Sequence, residues 1–314
     1  MNFLRKLNEG DTIGVFSASS PATFTYAEEY ENSKIYFQNK GFHICEGKLT
    51  GKYDHYRSGS IKERVEEFNS LVQNKNINCI MSSCGGWVSN SILPYIDYKS
   101  LLNNPKIVIG FSDITAILLG IYAMTGITTF YGLDFLSFGN VGLFDLRYEY
   151  FINMFLDIPK IPYSCLLPSL QSDKWITARK GKSRGRLIGG NLNTITGIWG
   201  SKYMPEIREG DILFIEDTDK TASIVERSFS FLKLNNVFDK ISGIILGKHN
   251  AFNDEGCGKM PHDILLEVLG DTDIPVLSEF DCSHTCPSII LPIGVEVELD
   301  ATDKKVLICD KCLY

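Results

Sequence analysis

The sequence predicts an α/β protein whose N-terminal half builds a buried parallel sheet. Three observations carry this: short β-type runs alternate with helical periods, each run stops at small or turn-forming residues, and the helical stretches are long enough to serve as crossovers. The first run, Thr12 to Ala18, ends in Ser19-Ser20-Pro21. A helical period through Tyr30, Ile35 and Phe37 follows, and Phe42 to Cys45 reads as the second strand. Ser60-Ile61-Lys62-Glu63 has the form of a capping box, after which Ile61, Val65, Phe68 and Val72 recur at helical spacing. The third strand, Ile77 to Ser82, ends at Cys84-Gly85-Gly86-Trp87. The fourth, Lys106 to Gly110, ends at Phe111-Ser112-Asp113, ahead of a helix through Ile114, Ile117, Leu118 and Ile121. Ligands of such sheets sit beyond the carboxyl ends of the strands, where Gly85-Gly86 and Ser112 both fall.

From about Arg147 the pattern loosens, and Pro159, Pro162 and Pro168 interrupt a stretch with little period. The expected division is therefore an N-terminal domain over 1–160, a linker over 161–175 and a second unit over 176–314. In that second unit Gly210 to Glu216 is a strand ending in a carboxylate, Val225 to Val237 is an amphipathic helix, and Ile241 to Leu246 is another strand. A helix over Ile264 to Leu269 precedes the alternating pattern of antiparallel strands between Ser288 and Cys309.

Composition narrows the function. With 314 residues, 44% of them apolar, the chain has the material for a large core. Its 31 Lys and Arg against 38 Asp and Glu give a net charge of −7 with no basic run, which argues against nucleic-acid binding. Met1 to Gly10 carries no apolar h-region, so no signal peptide is expected and the expected location is cytoplasmic. The apolar stretch Ile114 to Ile127 is shorter than the roughly 20 residues of a membrane span and reads as a buried helix. Nine cysteines, an odd number in a chain this large, are expected to be reduced thiols. Cys309 and Cys312 have a zinc-ligand spacing without a matching second pair, so no metal is expected.

A serine on a sharp strand-to-helix turn, as in Gly110-Phe111-Ser112-Asp113, exposes its hydroxyl beside backbone N–H groups that can hold an oxyanion. The competing reading is a helix N-cap, a role serine often fills. A nucleophilic serine requires a base, and the chain has five histidines: His43, His55, His249, His262 and His284. His43 falls in a strand and His262 at a helix start. His55 and His249 lie in loops, and His284 lies in the polar loop Cys282-Ser283-His284-Thr285, a suitable place for a base. Glu216 at the end of its strand fits the orienting acid, with Asp217 and Asp219 as competitors. The Gly85-Gly86 turn can bring N–H groups close to a ligand or simply make a tight turn. No phosphate-loop or dinucleotide fingerprint is present.

Five blocks, GFSDIT from Gly110, SCGGWVSNSILPYIDY from Ser83, RLIGGNLNTITGIWG from Arg186, GDILFIEDTDK from Gly210 and DCSHTCPSIILPIG from Asp281, resemble the LD-carboxypeptidase family of serine peptidases. Within it they are most similar to the microcin C self-immunity branch, and Val225 to His249 is especially so. The resemblance implies an α/β N-terminal domain and a smaller β-rich C-terminal one, with the active site at their interface. It implies a Ser112–Glu216–His284 triad and an oxyanion hole of backbone N–H groups at Gly86 and Asp113. Asn193 and Lys220 align with polar substrate contacts of that branch, and Trp175 is the nearest candidate for a tryptophan that stacks on a nucleotide base. No metal or organic cofactor is needed, and a homodimer is expected. The implied reaction is hydrolysis of the amide between an aminoacyl or peptidyl group and a modified adenylate. The alternatives are release of a terminal D-alanine from muropeptides, and a non-catalytic protein that sequesters such compounds.

Overall fold

The computed structural model describes residues 4–139, 144–167, 170–282 and 284–314; Pro168 of the expected linker and Ser283 of the His284 loop lie outside them. Five strands open the chain: β1 (Thr12–Phe16), β2 (His43–Glu46), β3 (Ile77–Ser82), β4 (Ile107–Gly110) and β5 (Thr129–Tyr131). Nine more follow: β6 (Tyr163–Ser164), β7 (Ile176–Arg179), β8 (Lys182–Asn191), β9 (Ile212–Glu216), β10 (Gly243–Gly247), β11 (Val276–Phe280), β12 (Leu291–Ile293), β13 (Glu296–Asp300) and β14 (Lys305–Ile308).

The first sheet has the order β12-β5-β4-β3-β1-β2, and its β1 to β5 pairings are all parallel. Its central strands β3 and β4 are buried except at half-buried Asn78, as crossover helices on both faces require. The second sheet has the order β6-β14-β13-β8-β9-β10-β11-β7, with parallel β8 to β11 flanked by antiparallel strands. The two-domain α/β architecture is thus the expected one. One crossing was not expected: β12 leaves the C-terminal unit and pairs antiparallel with β5 of the first sheet, Leu291 opposite Tyr131. The loop carrying His284 is the connection from β11 in one sheet to β12 in the other, which brings it to the seam between them.

Two elements differ from expectation. The region read as loosening after Arg147 is a helix, Phe144–Phe155, whose Tyr150, Phe151, Met154 and Phe155 are buried; tertiary burial sustains it where the sequence period is weak. The other is β5, a short strand that was not anticipated; the apolar stretch before it is the expected buried helix, Thr115–Thr125, closed by Gly126 in the left-handed conformation.

The capping box at Ser60 is formed: Ser60 Oγ accepts the Glu63 N–H, and the Glu63 carboxylate accepts the Ser60 N–H at 2.9 Å. The helix it starts, Ile61–Gln73, holds the loops that follow β1, β2 and β3. Buried Arg64 donates to the carbonyls of Ala18 at 2.7 Å and Val88 at 3.0 Å. Glu67 accepts the Ser17 N–H at 2.6 Å and the Leu49 N–H at 2.5 Å, and its burial pushes its pKa up to about 6.

Candidate active site

Ser112 lies immediately beyond β4 with φ +59°, a left-handed backbone conformation that an L-serine adopts only when its surroundings impose it. Its backbone N–H is directed at the Tyr131 hydroxyl at 3.2 Å, and its carbonyl accepts the Thr115 hydroxyl at 2.6 Å. Thr115 Oγ1 in turn accepts the Asn191 N–H at 3.0 Å from the end of β8. The turn is therefore tied to the C-terminal sheet as well as to its own. Ser112 caps no helix through its side chain, so the N-cap reading is not the arrangement seen.

Glu216 ends β9 and has no exposed surface. Its Oε2 meets His284 Nδ1 at 2.9 Å, and its Oε1 accepts the Tyr131 hydroxyl at 2.5 Å and Asn191 Nδ2 at 3.0 Å. Burial opposes the charged imidazolium, but the hydrogen bond and charge of Glu216, with Asp217 and Asp134 adding to them, hold the His284 pKa above its ordinary 6.5. With Nδ1 committed to Glu216, Nε2 is the ring nitrogen left for other chemistry. The imidazole packs edge-on against Phe111, the residue before Ser112, with ring centroids 5.0 Å apart. Among the described residues, Ser112 Oγ and His284 share no hydrogen bond of ordinary length.

The paired glycines close the third side. A Cβ on Gly85 would lie 2.8 Å from Ser112 Cβ, 3.0 Å from Ser112 Oγ and 3.4 Å from the Asp113 amide nitrogen, so only glycine permits this approach. Gly86 has φ +149°, a region essentially confined to glycine. Ser19 Oγ anchors the turn: it accepts the Trp87 N–H at 2.8 Å and the Val88 N–H at 3.1 Å, and donates to Asp113 Oδ2 at 2.6 Å.

Asp217 is buried beside Glu216 but pairs with Lys220 Nζ at 3.5 Å, and Asp219 is exposed, so neither stands where Glu216 does. The other histidines lie elsewhere: His43 and His55 are exposed, His249 is buried with Nδ1 against the Gly247 carbonyl, and His262 sits near Ser278. Asn193 is half-buried in the short helix Leu192–Thr196 after β8. Lys220 Nζ lies 5.2 Å from the ring centroid of Trp87.

Trp175 corrects the expectation. It is 1% exposed, its Nε1 donates to Asp281 at 2.8 Å and its ring packs on Phe280, so it has no free face for a base. Trp87, 72% exposed, directly follows the paired glycines and presents an open aromatic face there. Its adjacency to Gly85-Gly86 was the available signal. Ser19, Tyr131 and Asn191 were also not anticipated.

An hydroxyl on a constrained turn, an imidazole oriented by a buried carboxylate, and a glycine turn packed against the hydroxyl are features that nucleophilic acyl transfer uses. The LD-carboxypeptidase N-terminal domain model matches residues 13–132, and the C-terminal domain model matches residues 184–299. The chain belongs to the LD-carboxypeptidase family. This LD-carboxypeptidase-family chain is 50% identical to the microcin C7 self-immunity protein MccF of Escherichia coli, across 97% of its own length and 94% of the relative's. Its structure superposes on that of MccF in complex with glutamyl sulfamoyl guanosine with a TM-score of 0.95, at 48% identity and full coverage of both chains. A solved active-site variant of MccF replaces a serine, an asparagine and a lysine by alanine. The muramoyltetrapeptide carboxypeptidase of Oxalobacter formigenes shares the fold, with a TM-score of 0.80 at 20% identity over 95% of this chain and 99% of that one.

Proposed function

We propose that this protein is a serine carboxypeptidase that hydrolyses the amide joining an aminoacyl or peptidyl group to a modified nucleotide. The observation that carries the reading is the His284–Glu216 pair at 2.9 Å beside a serine held at positive φ against paired glycines. In the reaction His284 Nε2 removes the proton from Ser112 Oγ as it attacks the amide carbonyl, while Glu216 holds the tautomer and stabilises the imidazolium. The N–H groups of Gly86 and Asp113 receive the oxyanion. His284 then protonates the leaving nitrogen, and water, deprotonated by the same imidazole, releases the acyl group from Ser112.

Trp87 offers the leaving nucleoside an aromatic face, Lys220 offers a cation to an anionic linker, and Asn193 lies on the neighbouring short helix. The 50% identity to a microcin C7 self-immunity protein supports a nucleotide conjugate over a muropeptide. Action in the cytoplasm and as a homodimer belongs to the same reading, and sedimentation of the purified protein tests the dimer.

The deciding experiment incubates the protein and its Ser112→Ala variant with an aminoacyl-sulfamoyl adenosine and, separately, with a murein tetrapeptide, following products by mass spectrometry. Serine-dependent cleavage of the adenosine conjugate is expected. Release of D-alanine alone would move the protein to cell-wall recycling, and protection of cells by Ser112→Ala equal to wild type would mean sequestration without catalysis.

A further inference from the structure

We infer that Tyr131 is a positioning residue of this site, its one phenolic oxygen joining the backbone amide of Ser112 to the carboxylate of Glu216. This rests on the triad reading above. A phenol has a single proton and accepting lone pairs, and both capacities are used in a defined direction: the O–H donates to Glu216 Oε1 at 2.5 Å, and the oxygen accepts the Ser112 N–H at 3.2 Å.

The placement is built by both domains. Tyr131 ends β5, opposite Gly110 at the end of β4, and has no exposed surface. Its ring packs edge-on against Phe214 of β9 with centroids 5.0 Å apart, two residues before Glu216. Antiparallel pairing of Leu291 with Tyr131 ties the same residue to the strand that follows the His284 loop. The side chain of Tyr131 thus meets the segments carrying Ser112 and Glu216, and its backbone pairs with the strand that follows the His284 loop.

The chemistry follows from what remains when the hydroxyl is removed. At positive φ, Ser112 directs its N–H at the phenol, so the phenylalanine variant leaves a half-buried donor without its acceptor. Glu216 Oε1 keeps Asn191 Nδ2 as its neutral donor, and the carboxylate then draws more strongly on the imidazolium. The other groups facing the pair stay in place: Asp217 with Lys220, Asp134 toward His284, and His249 and Cys282 near Glu216. Burial, followed by the Glu216 charge, keeps the phenol protonated well above its ordinary pKa, so it is the donor at every working pH.

The test compares full-length wild type with Tyr131→Phe by NMR titration of the His284 imidazole, a readout that needs no substrate, and by kcat and KM across pH on the conjugate above. The His284 titration is expected to move up by about half a pH unit or more. With it, kcat is expected to fall about tenfold while KM changes little. An unmoved titration in the folded variant overturns the inference, even if the substrate proposal holds; a moved titration supports it, even if the conjugate is not the substrate. Phe214→Leu loosens the ring's seat but keeps the hydroxyl, and an equal shift in that variant would reduce Tyr131 to packing and overturn the assignment.

Discussion

The Ser19 hydroxyl, from the loop after β1, donates to the carboxylate of Asp113 at 2.6 Å, joining two loops that are 94 residues apart in sequence. The same oxygen accepts the Trp87 and Val88 N–H groups, and Asp113 Oδ2 also accepts the Ser89 N–H at 2.8 Å. The glycine turn and the residue after Ser112, which together supply the proposed oxyanion donors, are therefore held in register by one buried hydroxyl. Ser19→Ala removes it and leaves those partners unsatisfied, at a cost of about 1–3 kcal/mol. We expect kcat to fall about ten- to a hundredfold with a lowered Tm, by steady-state kinetics and thermal melting; a variant with full kcat would show that the turn holds its shape without Ser19.

Gly85 tests steric access alone. Its backbone lies in a region open to alanine, but the added methyl would sit 2.8 Å from Ser112 Cβ and 3.0 Å from its Oγ. Gly85→Ala is expected to lower kcat/KM by at least about 10², because the hydroxyl and the oxyanion position are both displaced. Circular dichroism and melting establish whether the variant is folded. Near-normal turnover would mean that the turn has room the structure does not show.

Much of this site was legible where local chemistry is strict. The capping box at Ser60 and the strand ends at Gly110 and Glu216 are written in adjacent residues, and each is where the sequence placed it. Tyr131 was not legible, because β5 is three residues long and directly follows a long apolar helix that masks any period of two. The pairing of β12 with β5 is a contact between distant segments, and nothing local in Leu291–Ile293 distinguishes it from the antiparallel strands that follow. Trp175 failed for a related reason: exposure of a lone tryptophan is decided by what packs over it, here Phe280 and Asp281. Trp87, by contrast, was constrained by its glycine neighbours to stay beside the turn.

The pH dependence has a defined sign. In the proposed mechanism His284 must be neutral to accept the Ser112 proton; burial lowers its pKa, but the hydrogen bond and charge of Glu216 outweigh burial and hold it above 6.5. The acid limb of kcat/KM is therefore expected above pH 6.5, with activity lost as pH falls through it. Glu216→Gln keeps the shape but removes the charge, leaving burial to disfavour the imidazolium, so the limb moves to lower pH while kcat drops about 10³- to 10⁴-fold. For stability the raised folded pKa means that the His284–Glu216 contribution is present below the unfolded histidine value and is lost as pH rises through the folded one. A limb that does not move in Glu216→Gln would assign the acid's role to another group.

The two tryptophans give opposite expectations in a single comparison. Trp87 is 72% exposed with Lys220 Nζ 5.2 Å from its centroid, so Trp87→Ala removes little packing but takes away the face proposed to meet the nucleoside. Stacking of a base on an aromatic side chain is worth about 1–3 kcal/mol, so KM for the adenosine conjugate is expected to rise at least about fivefold with Tm unchanged. Trp175→Phe loses the Asp281 hydrogen bond inside the core, leaving a buried carboxylate oxygen short of a donor. It is expected to lose about 1–3 kcal/mol of stability and to keep its KM. Titrating both variants with a non-hydrolysable sulfamoyl adenosine separates the roles directly, since only Trp87→Ala is expected to weaken binding. Weakened binding by Trp175→Phe alone would mean that the buried ring acts on the site through Asp281 and that the exposed one does not contact the ligand.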